Sequence, residues 1–228
     1  MTGVAIAERL VGVRAKIVRA AELAGRDPAT VRLVAVSKFQ PAESIRAALG
    51  ADQRIFGENY AQELREKSAD IEGPEWHFLG ALQTNKAKLV VGRAALVHTC
   101  DRLALAEELD KRASALGLVQ RVLVEVNLGG ENQKGGCAPG GLAELLRAIS
   151  GLSSLRCEGL MCIPPAEQDP RPHFRALARL REEARAQAVC TSSLDELSMG
   201  MSADYEAAIA EGATLVRVGT AIFGARPT

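Results

Sequence analysis

This chain lacks an excess of charge of either sign. Lys+Arg and Asp+Glu both number 28. That balance excludes a general attraction for nucleic acid or an anionic membrane surface. Paired cysteine motifs are missing too. Cys100, Cys137, Cys157, Cys162 and Cys190 contain no C-x-x-C, and an odd count argues against a disulfide framework. They read as small buried thiols. His77, His98 and His173 are far apart in sequence and lack metal-ligand spacing, so no metal is expected. Long apolar runs are absent. The first 25 residues are broken by Glu8, Arg9, Arg14, Lys16 and Arg19. A signal peptide needs an uninterrupted apolar region, and a membrane span needs about 20 apolar residues. Cytoplasm is the expected compartment.

What is present is a regular alternation. Ile6, Leu10, Val13 and Ile17 recur at helical spacing, which predicts an amphipathic N-terminal helix. Short runs rich in Val, Ile and Leu follow at 31–37, 53–58, 76–82, 95–100, 121–128, 156–163, 195–200 and 214–219. Most lack in/out alternation, which suits parallel strands covered on both faces. Helical patterns separate them. One opens at Asp101 as N-cap and closes at Gly117, and another opens at Ser202 as N-cap and closes at Gly212. Eight strand–helix units in roughly 200–250 residues predict a (β/α)8 barrel, with a doubly wound open sheet as the alternative. The last unit is short, and the N-terminal helix is expected to pack there. No linker divides the chain, so residues 1–228 read as one domain.

In such a barrel, chemistry sits at the C-terminal strand ends. Lys38 follows the first strand, Glu58 and Asn59 the second, and Asn127 the fifth. Ser198 and Met199 end the seventh, and Arg217 with Gly219 ends the eighth. The loops after strands seven and eight are the usual phosphate site of these barrels. Here Gly200, Ser202, Gly219 and Thr220 supply close backbone approach, amides and hydroxyls. Lys38 has three readings. It snorkels to solvent, it pairs with Glu58, or it forms a Schiff base, because a partly desolvated lysine is nucleophilic. A lysine opposite a phosphate site suggests a ligand with both an aldehyde and a phosphate, namely pyridoxal 5'-phosphate. Arg217 then meets the pyridine nitrogen. The glycine-rich stretch GGENQKGG at 129–136 reads as a surface loop or as a lid carrying Lys134. His77 reads as a neighbour of the site.

The stretches LVAVSK, FGENYAQE, WHFLGALQTNK, VEVNLGGENQKGG, GLMCIPP and LSMGMSADYEAAIAEGATLVRVGTAIFG resemble the pyridoxal-phosphate homeostasis proteins. They run in order from about residue 31 to 225. The resemblance implies a single barrel of the alanine-racemase N-terminal type that holds the cofactor as an internal aldimine. It implies Lys38 as the Schiff-base lysine and Asn59 near the ring. Ser202, Gly219 and Thr220 hold the phosphate, Arg217 faces the ring nitrogen, and Ser198 and Met199 line the floor. It further implies cofactor binding, buffering or delivery rather than an established catalytic activity, with apo-enzymes as recipients. The expected state is a monomer. A weak amino-acid racemase is the alternative.

Overall fold

The computed structural model describes residues 3–131 and 135–224. Lys134 therefore lies outside the described residues. Eight parallel strands close into a barrel in sequence order. They are β1 (Arg32–Val36), β2 (Ile55–Glu58), β3 (Glu75–Phe78), β4 (Leu96–Cys100), β5 (Gln120–Glu125), β6 (Leu155–Met161), β7 (Glu196–Ser198) and β8 (Leu215–Val218). Closure comes from β1 pairing with β8, where Val34 lies opposite Arg217. All eight expected strands form, and the closed ring excludes the open-sheet alternative.

The helices are α1 (Gly3–Leu23), α2 (Ala42–Gly50), α3 (Ala61–Asp70), α4 (Ala87–Val90), α5 (Leu103–Ala115), α6 (Leu142–Ser150), α7 (Arg171–Ala186), α8 (Tyr205–Ala210) and α9 (Thr220–Phe223). The apolar stripe of α1 buries Ile6, Leu10, Val13 and Ile17. It packs on α2, α8 and α9, closing the gap that the short last unit leaves. Beyond its end, Arg26 Nη1 donates to the carbonyls of Ile209 at 2.7 Å and Ala213 at 2.9 Å. Those bonds tie the helix to the chain around the end of α8.

Two cores result, as the twofold strand period requires. The larger lies between sheet and helices. The smaller fills the barrel with Val34, Leu79, Leu96, Leu123, Met161 and Leu215. The interior also holds buried His77, His98, Ser198 and Arg217. No helix among the described residues is long and apolar enough to cross a membrane.

Three local expectations need correction. The N-cap of α5 is Arg102 rather than Asp101, whose carboxylate pairs with the Arg102 guanidinium. The N-cap of α8 is Asp204 rather than Ser202. The Asp204 side chain instead accepts from the Met201 amide at 2.6 Å, which turns the chain before the helix begins. Of the cysteines, Cys100, Cys157 and Cys162 are buried, whereas Cys137 and Cys190 are only partly covered.

Candidate functional site

Lys38 stands just beyond β1, and its backbone is held from both sides. The Ser37 amide donates to the Gly57 carbonyl at 2.9 Å, continuing the β1–β2 pairing. The Ser37 hydroxyl donates to Glu58 Oε1 at 2.6 Å. Lys67 Nζ, from α3, donates to the Ser37 carbonyl, Glu58 Oε1 and Glu63 Oε2, each at 2.8 Å. On the other side, the Phe39 amide donates to Glu63 Oε2 at 3.0 Å. Phe39 itself sits in the left-handed region at φ 63°, with its ring 5.0 Å from Tyr60. A bulky residue there is strained, so the surrounding bonds must hold it. The cation paired with Glu58 is thus Lys67. Burial pushes the Glu58 carboxyl up to about 7, and Lys67 pulls it down.

Asn59 is positioned by a close backbone approach. A Cβ on Gly80 would fall 1.9 Å from the Asn59 carbonyl oxygen, so only glycine permits that crossing. Arg217 rises from β8 inside the barrel. Its Nη1 donates to Ser198 Oγ at 2.6 Å and its Nη2 to the Cys162 carbonyl at 3.0 Å. Burial lowers its pKa, but arginine starts so high that it remains a cation and a pure donor.

The loops after β7 and β8 face each other. Gly200 has φ 90°, and a Cβ there would meet Ala208 Cβ at 2.5 Å. This turn delivers Ser202, whose hydroxyl accepts from the Gly219 amide at 3.3 Å. The backbone amides of Ser202, Ala203 and Thr220 donate to no group among the described residues.

These parts enclose a cavity of about 320 Å³. Lys38, Asn59, Ser202, Arg217, Gly219 and Thr220 all line it. Its lining contains two cationic side chains and no acidic one. Ser198 does not line it but lies behind Arg217. Met199 is a correction. It is fully buried in the core between sheet and helices, because Ser198 points inward and the next residue must point outward. Val36, Leu79, Ile163, Met201 and Ala203 also line the cavity and were not singled out from sequence. Ile163 ends the sixth apolar run, and its place at a strand terminus was the available signal.

A second cavity of about 200 Å³ adjoins the first and shares Asn59, Leu79 and Ile163 with it. It adds Thr99, Glu125 and Asn127. Burial and then Asp101 push the Glu125 carboxyl up to about 7. Sequence reasoning noted Asn127 and missed Glu125, because a carboxylate inside a β-branched run carries no distance information.

The donor set fits a phosphorylated aldehyde. Free amides with Thr220 suit a phosphate, Lys38 suits the aldehyde, and Arg217 suits a neutral ring nitrogen.

The alanine racemase N-terminal domain family model matches residues 12–227. A pyridoxal phosphate homeostasis protein of Pseudomonas aeruginosa is 47% identical over 97% of this chain and 96% of its own length. One from Aquifex aeolicus is 45% identical over 96% of this chain and 97% of its own. Among solved structures, PipY of Synechococcus elongatus with PLP bound has a TM-score of 0.85 at 39% identity. It covers 96% of this chain and all of its own. The alanine racemase of Streptomyces lavendulae shares the fold alone, at TM-score 0.75 and 18% identity, over 99% of this chain and 58% of its own. With its barrel, its cavity and these relatives, the chain belongs to the pyridoxal phosphate homeostasis protein family, within the wider alanine racemase N-terminal domain family.

Proposed function

We propose that this protein binds pyridoxal 5'-phosphate in the 320 Å³ cavity and serves intracellular homeostasis of that cofactor by holding and releasing it. Lys38 Nζ takes the aldehyde, and Arg217 faces the ring nitrogen. Asn59 flanks the ring, and the Ser202, Gly219 and Thr220 group holds the phosphate. The observation that carries the reading is the cavity lining, which joins an amine, a guanidinium and a set of free amides with no carboxylate. The names and the bound ligand of the relatives support it.

Bound there, the cofactor supplies an aldehyde that condenses with amines and a ring that withdraws electrons. The protein's residues favour holding over turnover. Arg217 cannot accept a proton bond from the ring and disfavours ring protonation. Racemisation by two bases needs a second acid or base across from the lysine. The main cavity lining offers none besides Lys38. Five unpaired cysteines suit a reducing cytoplasm, where apo-enzymes would receive the cofactor.

The test is direct. Purified protein incubated with pyridoxal 5'-phosphate should turn yellow, and borohydride should bleach it and fix the cofactor on Lys38. A colourless protein, or a label on another lysine, refutes the assignment. Robust amino-acid turnover abolished by Lys38→Ala would favour an enzyme instead.

A further inference from the structure

The interior of the barrel carries a row of polar side chains that cofactor contact does not explain. Arg217 Nη1 meets Ser198 Oγ at 2.6 Å. Ser198 Oγ lies 2.8 Å from His98 Nδ1. His98 Nε2 lies 2.9 Å from His77 Nδ1. His77 Nε2 lies 3.2 Å from Glu75 Oε1. Ser198, His98 and His77 are fully buried. Glu75 opens β3 at the N-terminal mouth, and Arg217 lies near the other end of β8. The row therefore crosses the barrel from one mouth to the other.

The Arg217 end sets its polarity. A guanidinium has donors only, so Ser198 Oγ accepts from Arg217. The one serine proton then goes to His98 Nδ1. A neutral imidazole has one donor and one acceptor, so His98 Nε2–H donates to His77 Nδ1. His77 Nε2–H donates in turn to the Glu75 carboxylate. Every member is satisfied in this direction. The reverse direction with neutral rings leaves the serine proton without an acceptor and sets His77 Nε2 against a carboxylate, two costly faults in a buried site. Burial lowers the pKa of both histidines, which keeps them neutral. The hydrogen bond from His77 holds the Glu75 carboxyl below its usual range, which keeps it an acceptor.

We propose that Ser198, His98 and His77 are positioning residues for Arg217, forming a one-way hydrogen-bond relay that fixes its guanidinium against the ring end of the cavity and links it to Glu75 at the opposite mouth. The role toward the ring rests on the cofactor reading above. The relay itself rests on the barrel geometry alone. Arg217 has a second anchor in the Cys162 carbonyl, so losing the relay frees one of two guanidinium bonds rather than releasing the side chain.

Two readouts separate these layers. Imidazole nitrogen NMR on protein without cofactor reads the tautomers. Both His77 and His98 should be neutral and protonated at Nε2, and should stay so in Ser198→Ala, where the Glu75 carboxylate still orients His77 and through it His98. A His98 protonated at Nδ1 overturns the relay. The second readout is the absorption band of bound cofactor at matched occupancy. It should shift in Ser198→Ala and in Glu75→Leu, with retention weakened roughly tenfold for the serine variant. Glu75→Gln keeps an acceptor for His77 and should restore the native band. An unmoved band in both Ser198→Ala and Glu75→Leu overturns the coupling. Should no coloured complex form at all, the cofactor reading and its coupling fail, while the tautomers still decide the relay. Glu75 lies at the far mouth and is partly exposed, so its variants test the link without disturbing the cavity.

Discussion

Lys67 places its ammonium 2.8 Å from the carbonyl oxygen of Ser37, one residue before Lys38. A helix on the outside of the barrel thereby holds the strand end that presents the candidate amine. The same ammonium bonds Glu58 and Glu63, and Glu63 bonds the Phe39 amide one residue after Lys38. Lys38 is fixed from both flanks by one cluster.

Lys67→Met should remove the centre of that cluster. Glu58 is fully buried, and breaking a buried pair costs about 3–5 kcal/mol. Lys67 is slightly exposed, so the lower end is expected, about 3 kcal/mol in urea unfolding. Adding Glu58→Gln should recover part of the loss, since the stranded carboxylate is then gone. Borohydride fixation at Lys38 should also slow. An unchanged urea midpoint in Lys67→Met would show that the cluster does not hold the strand end.

The phosphate assignment predicts that Ser202→Ala combined with Thr220→Val weakens cofactor retention. Two charge-assisted bonds at roughly 1.5–3 kcal/mol each are at stake. Dialysis followed by absorbance reads the loss. Retention equal to the parent would place the phosphate elsewhere in the cavity.

Gly200→Ala tests the turn that delivers Ser202. The new methyl would lie 2.5 Å from Ala208 Cβ and 2.9 Å from Tyr205 Cα, at a φ of 90°. The turn must shift, at a cost of about 1–3 kcal/mol. Thermal unfolding should show the destabilisation, and cofactor retention should fall with it. A variant as stable and as retentive as the parent would mean that the turn yields without moving Ser202.

The eight strands were legible because each is a short apolar run bounded by polar turns, and the cavity residues were legible because barrel chemistry gathers at strand ends. The parts that escaped depend on which way a side chain faces or what it meets across the fold. The resemblance puts Met199 in the floor, yet the inward turn of Ser198 sends it outward into the core between sheet and helices. Ser202 looks like an N-cap in sequence. Its hydroxyl instead accepts from the Gly219 amide, and Asp204 holds the N-cap position of α8 while its side chain bonds the Met201 amide. His77 and His98 are 21 residues apart, and only the β3–β4 register brings them together. Lys67 as the partner of Glu58 needs α3 folded back over β2, a contact no local pattern encodes.

Glu125 supplies a pH test with a defined sign. Burial and Asp101 raise its carboxyl to about 7 in the folded chain, from an ordinary value near 4.5. The folded state therefore binds more protons than the unfolded chain between those values. Stability from this group is fully present below about pH 4.5 and is lost as pH rises through about 7. The loss amounts to roughly 3 kcal/mol at pH 8, on the order given by 1.36 kcal/mol per pKa step. Glu125→Gln cannot ionise, so it should gain stability over the parent at pH 8 and differ little at pH 4.5. Glu58 is raised to about 7 by burial as well, so the variant should keep a fall of similar origin rather than a flat profile. Urea unfolding of both proteins from pH 4.5 to 8 measures the difference. A gap that stays constant across that window would show that Glu125 ionises at its ordinary pH and that the second cavity is wetter than its lining implies.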